Sequence, residues 1–145
     1  MKALTLMQPW ATLVAIGAKR IETRSWATSY RGPLVIHASK GFPKWAREFT
    51  CEPVCYEAVQ QFQRVKTFPA YPLGAVLATC RLIDCVPTER IGDPNGLWSR
   101  IFTEQERAFG NYSPGRYAWV IDNVQQTEPI LAKGALGLWE WTEVS

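Results

Sequence analysis

Lys19, Glu22 and Arg24 fall within one short stretch, GAKRIETR, directly after an apolar run. A carboxylate between two cations so close to a core is tolerated when the charges satisfy one another or meet a ligand. The pattern by itself leaves both open, a structural salt-bridge cluster and a charged ligand site. His37 is the sole histidine and the one side chain whose ordinary pKa lies near neutrality, which makes it a candidate acid or base. It sits in LVIHAS, where Val35, His37 and Ser39 alternate with Leu34, Ile36 and Ala38. A histidine there is either a hydrogen-bonded core residue or a ligand contact, and Ser39 either donates to a ligand or satisfies that histidine. In YSPGRYAW, Arg116 enters a strand beside Tyr117 and Trp119. It offers a phosphate contact or a structural ion pair. Tyr117 and Trp119 share a face, as half of an aromatic slot or as core. Gln8 precedes Pro9 near a helix start, where free backbone N–H groups favour an anion or a carbonyl oxygen.

The elements that must position these residues follow from periodicity. ALTLM reads as a first strand and QPWATLVAIG as a helix, with Pro9 in its first turn and Gly17 as its stop. Trp10, Leu13, Val14 and Gly17 recur at helical spacing. KRIETRSW alternates as a strand, with Glu22, Arg24 and Trp26 on one face. LVIHAS is a buried strand after the turn SYRGP. PKWAREF and YEAVQQFQRV read as helices, the second with Ala58, Val59, Phe62 and Val65 inward. GAVLATCRLIDCV is β-branched and alternating, a long strand. A short helix around TEQERAF precedes three strands, GRYAWVID, TEPILA and GLWEWTEV. Strands in this number with few helices predict an α+β fold, mainly β: a small curved sheet or barrel, mostly antiparallel, with helices packed outside.

The totals bound the function. A chain of 145 residues, 47% hydrophobic, supports a single domain spanning 1–145 with one adequate core. No run is long and apolar enough to cross a bilayer, and MKALTLMQPW does not read as a secretory signal, so a cytoplasmic protein with no membrane partner is expected. Cys51, Cys55, Cys80 and Cys85 contain no C-x-x-C pair, and His37 lies far upstream. Reduced thiols and no metal are therefore expected. The net charge of +3 is uneven: residues 1–72 hold ten Lys/Arg against four Asp/Glu, and residues 73–145 hold six against nine. Residues 19–47 alone hold seven basic residues to one acidic. Such a local positive field favours a phosphate-bearing partner, although clustering in sequence is also compatible with an ordinary solvated surface. Seven tryptophans add stacking faces for bases. For Trp10, Trp119, Trp139 and Trp141, core packing accounts for at least three of the four.

GAKRIETR matches G-x-K-x-x-E-x-R, with Gly17, Lys19, Glu22 and Arg24 in place. QPWATLV before it, YRGPLVIHAS after it, PLGAVLATCRLIDCV, and YSPGRYAWVI with GLWEW resemble successive blocks of the ASCH family, named for homology to an activating signal cointegrator. The resemblance covers nearly the whole chain. It implies a PUA-like fold, a compact β-barrel flanked by helices, with a cleft beside the first helix lined by the motif's charged residues. A cleft of that kind suits RNA, a modified nucleoside or another nucleobase-like ligand, with single-stranded DNA not separable from RNA, and requires no cofactor. One branch of the family resembles amidohydrolases that remove an acyl group from the exocyclic amine of cytidine with a lysine, a threonine nucleophile and a glutamate. Lys19 aligns with that lysine, but Glu22 stands at the threonine position. Glu22 in that place would act as a base toward water or hold Lys19 charged. Glu104 and Glu106 are positional candidates for the missing acid. Metal-independent RNA cleavage, using Lys19, Glu22, Arg24 and His37, is a second enzymatic expectation, and a structural interaction module is the non-enzymatic one. The candidate ligand contacts are Gln8, Trp10, His37, Ser39, Arg116 and Tyr117.

Overall fold

A computed structural model describes residues 1–62 and 71–143. Its elements, in chain order, are β1 (Lys2–Leu6), α1 (Trp10–Ala15), β2 (Ile21–Arg24), β3 (Gly32–Ala38), α2 (Lys44–Phe49), α3 (Pro53–Phe62), β4 (Ala75–Pro87), α4 (Glu104–Phe109), β5 (Tyr117–Leu131) and β6 (Leu138–Glu140). The strands form one mixed six-stranded sheet in the order β2-β5-β4-β3-β1-β6, a half-barrel with four helices among the described residues. Only β1 and β3 run parallel, with α1 and β2 between them in sequence; the other pairs are antiparallel. The α+β, mainly β expectation holds.

Alternation divides the sheet's two faces. Leu4, Leu6, Leu34 and Ile36 join Val14, Leu82, Trp119 and Ile121 in the main core. Ala3, Val35 and Val76 face the other way, beneath Trp139 and Trp141. Leu13, Ala58, Val59 and Phe109 tie α1, α3 and α4 together. Val65, the last residue of the expected stripe on α3, lies outside the described residues.

Three elements differ from the sequence expectation. GRYAWVID and TEPILA are one strand, β5, because Asn123 takes a left-handed conformation at φ 51 and absorbs the bend. The β4–β5 register shifts there, from Arg81↔Asp122 to Thr79↔Gln125, so the two long strands curve together without unpairing. The strand in GLWEWTEV shrinks to Leu138–Glu140, paired with Lys2, Ala3 and Leu4 of β1. The strand in KRIETRSW starts only at Ile21, since the residues before it complete the end of α1.

Candidate functional site

The end of α1 explains how the first motif residues are placed. Gly17 has φ +86, Ala18 N donates to Leu13 O at 3.0 Å, and Gly17 N donates to Val14 O at 3.0 Å. This pair of bonds is a Schellman cap, which needs a left-handed residue after the helix and so favours glycine. The reversal turns the chain inward, and Lys19 N also bonds Leu13 O. Lys19 follows the turn into the interior and is 1% exposed. Its Nζ donates to Ile21 O and, at 3.0 Å, to Glu22 Oε1.

Glu22 and Arg24, two residues apart on β2, do project to the same side. Arg24 Nε donates to Glu22 Oε2 at 3.1 Å, and Arg24 Nη2 donates to Thr5 O at 2.7 Å. Burial by itself pushes the Glu22 carboxyl up, but Lys19 and then Arg24 overcome it, and the group is held below the usual carboxylate range. Glu22 is therefore an ionised acceptor at neutral pH.

Behind this pair lies a second buried carboxylate, Glu106, 4% exposed. It is the third residue of a capping sequence on α4, where Thr103 Oγ1 accepts from Glu106 N. Its side chain reaches across to β2: Oε2 accepts from Arg20 N at 2.6 Å and Oε1 from Ile21 N at 3.3 Å. Burial raises its pKa against the pull of Lys19 and these two N–H groups. Glu106 holds the start of β2 from beneath. Glu104, on the first turn of the same helix, is exposed.

A cleft of about 780 Å³ opens over Glu22 and Arg24, walled by Trp10, Trp26 and Trp45 and bounded by Ser39, Asn111 and Arg116. Trp10 stacks on Phe49 at 5.2 Å and meets Trp45 at 5.7 Å, so α1 and α2 together present an aromatic wall. Trp45 is 60% exposed, an unusual state for a tryptophan in a short helix. Trp26 is braced edge-on by Trp119 at 4.8 Å. The arrangement offers flat faces for a planar ring, an anionic acceptor for its N–H donors, and cationic groups beside both.

Of the residues singled out from the sequence, the structure brings Trp10, Glu22, Arg24, Ser39 and Arg116 to the cleft. Lys19 lies under it, enclosed by the groups it pairs with. The remaining three do not line it, and each has a structural task. Gln8 is fully buried: Oε1 accepts from Thr12 N and Nε2 donates to Thr12 Oγ1 and Pro72 O, so the side chain takes up one N–H of the first turn of α1, while Met7 O takes up that of Ala11. Tyr117 packs against the main core with Trp119, so that pair is core and not half of a slot. His37 is 1% exposed and bound on both nitrogens, Nε2 to Ala132 O at 2.7 Å and Nδ1 to Thr5 Oγ1 at 3.1 Å. A carbonyl only accepts, so Nε2 is the donor to Ala132 O, and the Thr5 hydroxyl is the partner of Nδ1. Thr5 Oγ1 in turn accepts from Trp139 Nε1 at 3.0 Å. His37 thus ties the segment after β5 to β1 and β3.

Trp26, Trp45 and Asn111 were absent from the sequence candidates. Trp26 carried a signal, since it shares the alternating face of Glu22 and Arg24. Trp45 and Asn111 arrive from α2 and from the loop after α4, through tertiary contact that no local pattern encodes. All four cysteines are free thiols, and burial pushes that of Cys80 up to about 12. Among the described residues, no group of three or more His, Cys, Asp or Glu is placed to hold a metal ion, and no helix is long and apolar enough to cross a membrane.

A curved mixed sheet flanked by helices is the fold expected from the sequence resemblance, and the family comparison agrees on the family. The ASCH domain model matches residues 4–131, and the chain belongs to the ASCH domain family. It is similar to Activating signal cointegrator 1 of Homo sapiens and of Mus musculus, at 32% and 31% identity over 128 residues. The match takes in 85% of this chain and 19% of each relative, so the chain spans about a fifth of their length. Among solved structures, ASCH from Zymomonas mobilis aligns with a TM-score of 0.49 and 15% identity, over 90% of this chain and 72% of that one.

Proposed function

We propose that the cleft binds RNA or a modified nucleoside. The observation that carries this reading is the Glu22 carboxylate, held ionised by Lys19 and Arg24 at the base of a cleft walled by tryptophans. A base stacked on one of those faces gains about 1–3 kcal/mol. Its amino or imino N–H finds its acceptor in Glu22, and the arginines favour phosphate beside it. Membership of the ASCH family supports the same class of ligand. Single-stranded DNA satisfies these contacts equally, since none of them selects for a 2′-hydroxyl.

Hydrolysis draws less support. Lys19 is enclosed and already donates to two acceptors, so it has no free path to a substrate. A carboxyl held low in pKa is a weak general base. Glu106 faces backbone N–H groups, away from the cleft. Tryptophan fluorescence titrations with a mixed-sequence RNA and with N4-acetylcytidine, at low and moderate salt, test the reading. Binding of RNA is expected to weaken with salt, binding of the nucleoside to change little, and both to weaken in Glu22→Gln. No binding of either ligand at low salt, or binding indifferent to Glu22→Gln, would overturn it. Chromatography of the same mixtures reports turnover directly.

A further inference from the structure

The two cleft arginines differ in their partners: one has a carboxylate beside it and the other has none. Arg24 is ion-paired: its guanidinium lies 3.1 Å from Glu22 Oε2, a carboxylate it shares with Lys19. Arg116 has no carboxylate within ion-pairing distance among the described residues; the acidic groups near other cations are Glu140, Glu22, Asp84 and Glu48. Main-chain oxygens hold it instead. Nε donates to Asn111 O at 3.1 Å and Nη2 to Thr23 O at 3.4 Å. These bonds fix the plane of the guanidinium but leave its charge uncompensated, and its Nη1 takes no partner among the described residues.

The position of that charge is informative. Arg116 contacts the carbonyl of the residue preceding Arg24, and Arg24 is paired across the sheet with Tyr117, the neighbour of Arg116. Both guanidinium groups therefore flank one stretch of β2 and open into the same cleft as the tryptophans. An anion approaching Arg24 also meets the Glu22 carboxylate 3.1 Å from that guanidinium, whereas Arg116 has none within ion-pairing distance among the described residues. The favoured place for a negative group is Arg116, whose planar fork suits a phosphate oxygen pair. An uncharged ring, by contrast, is best placed over Glu22 and against the tryptophans.

We propose that Arg116 is the phosphate seat of the cleft, so that its occupant is a nucleotide unit, a phosphate ester attached to a stacked base, and not a free nucleoside. This rests on reading the cleft as a nucleobase site and specifies the ligand within it. Of the two roles the sequence allowed for Arg116, the ion pair is absent among the described residues and the anion contact remains.

The test compares five nucleosides (adenosine, guanosine, cytidine, uridine and N4-acetylcytidine) with their 3′- and 5′-monophosphates, by fluorescence titration at low salt. A short mixed-sequence RNA represents the diester form. Wild type is expected to bind at least one monophosphate about tenfold more tightly than its nucleoside, the size of one charge-assisted contact. In Arg116→Gln, whose amide can still donate to a main-chain oxygen, that advantage should fall to within about twofold while nucleoside affinity is unchanged. If only the RNA shows the advantage, Arg116→Gln should lower its salt slope by about one, which supports a diester at the same seat. Equal binding of nucleoside and monophosphate, with an unchanged RNA salt slope, refutes the phosphate seat and leaves the nucleobase reading standing. An equal loss for both ligand types in Arg116→Gln also refutes it. Failure of every probe to bind refutes both. Near-UV circular dichroism verifies that the variant keeps its fold.

Discussion

Replacing Lys19 with methionine probes the central claim about the motif, that its lysine acts on Glu22 and not on a ligand. Methionine matches the length of the aliphatic stem but removes the charge and both donated hydrogen bonds. Breaking a buried pair by deleting one partner costs about 3–5 kcal/mol where the remaining charge is fully enclosed. Here the Glu22 side chain keeps 11% exposure and its contact with Arg24, which reduces the penalty to about 2–3 kcal/mol. At about 3–4 °C per kcal/mol for a chain of this length, Lys19→Met should melt about 6–12 °C below wild type. Adding Glu22→Gln removes the stranded charge, so the double variant should recover about half of the loss. Urea unfolding of the four proteins in the cycle measures the coupling. A loss under about 1 kcal/mol for Lys19→Met, or strict additivity in the double variant, would mean that the lysine is not what keeps Glu22 charged.

The two buried carboxylates should give opposite pH signatures. Glu22 is held below 4.5 in the folded protein, so its stabilisation is present above that value and lost as the pH falls through the lowered pKa; the deficit of Glu22→Gln should shrink in acid. Glu106 is raised above 4.5, so its ionisation opposes folding as the pH rises through the folded pKa; Glu106→Gln should gain on wild type over that rise, and parallel profiles would contradict the assignment. Gly17→Ala meets open space but a φ of +86, so strain alone should cost about 1–2 kcal/mol in thermal unfolding, and Gly17→Asn less. A methyl at Gly134 would lie 2.7 Å from His37 Cε1 and from Thr5 Oγ1, so Gly134→Ala should cost about 1–3 kcal/mol; no change would show that the His37 tie is not held as described. Trp45→Ala should leave the melting temperature within about 2 °C, as befits an exposed side chain, while weakening ligand binding several-fold.

Local pattern carried most of the sheet and failed where geometry is set by partners. The strand in GAVLATCRLIDCV and the helix between Pro9 and Gly17 are written in short-range signals, β-branching in one and a cap residue in the other. The continuity of β5 is not, because a left-handed asparagine that bends a strand looks in sequence like a turn that ends one. The charged face of β2 was legible from alternation, yet alternation cannot separate a side chain in a cleft from one beneath it. Lys19 precedes the strand, so the Schellman turn sets its direction. Gln8 shows the same limit in reverse. Of the helix N–H groups that suggested an anion there, Thr12 N is met by the glutamine itself and Ala11 N by Met7 O.

The spacing of the motif then has a physical reading. Glycine ends α1 and reverses the chain, and the lysine two residues on is carried into the interior as a result. A buried ammonium needs a carboxylate, and position 22 supplies one three residues later, where β2 has begun. Its other oxygen is then turned toward the next residue on the same face, Arg24. Each residue fixes the next, so the only ionised acceptor among these three groups is presented to the cleft without depending on a flexible side chain. A threonine in place of Glu22 would leave Lys19 with a neutral partner in place of a carboxylate. The buried ammonium would then lack the anionic partner that its enclosure calls for. With glutamate there, the lysine Nζ is occupied by Glu22 Oε1 and Ile21 O. Under the binding reading proposed above, the motif's task is to hold the Glu22 carboxylate at the floor of the cleft, where a ligand meets it.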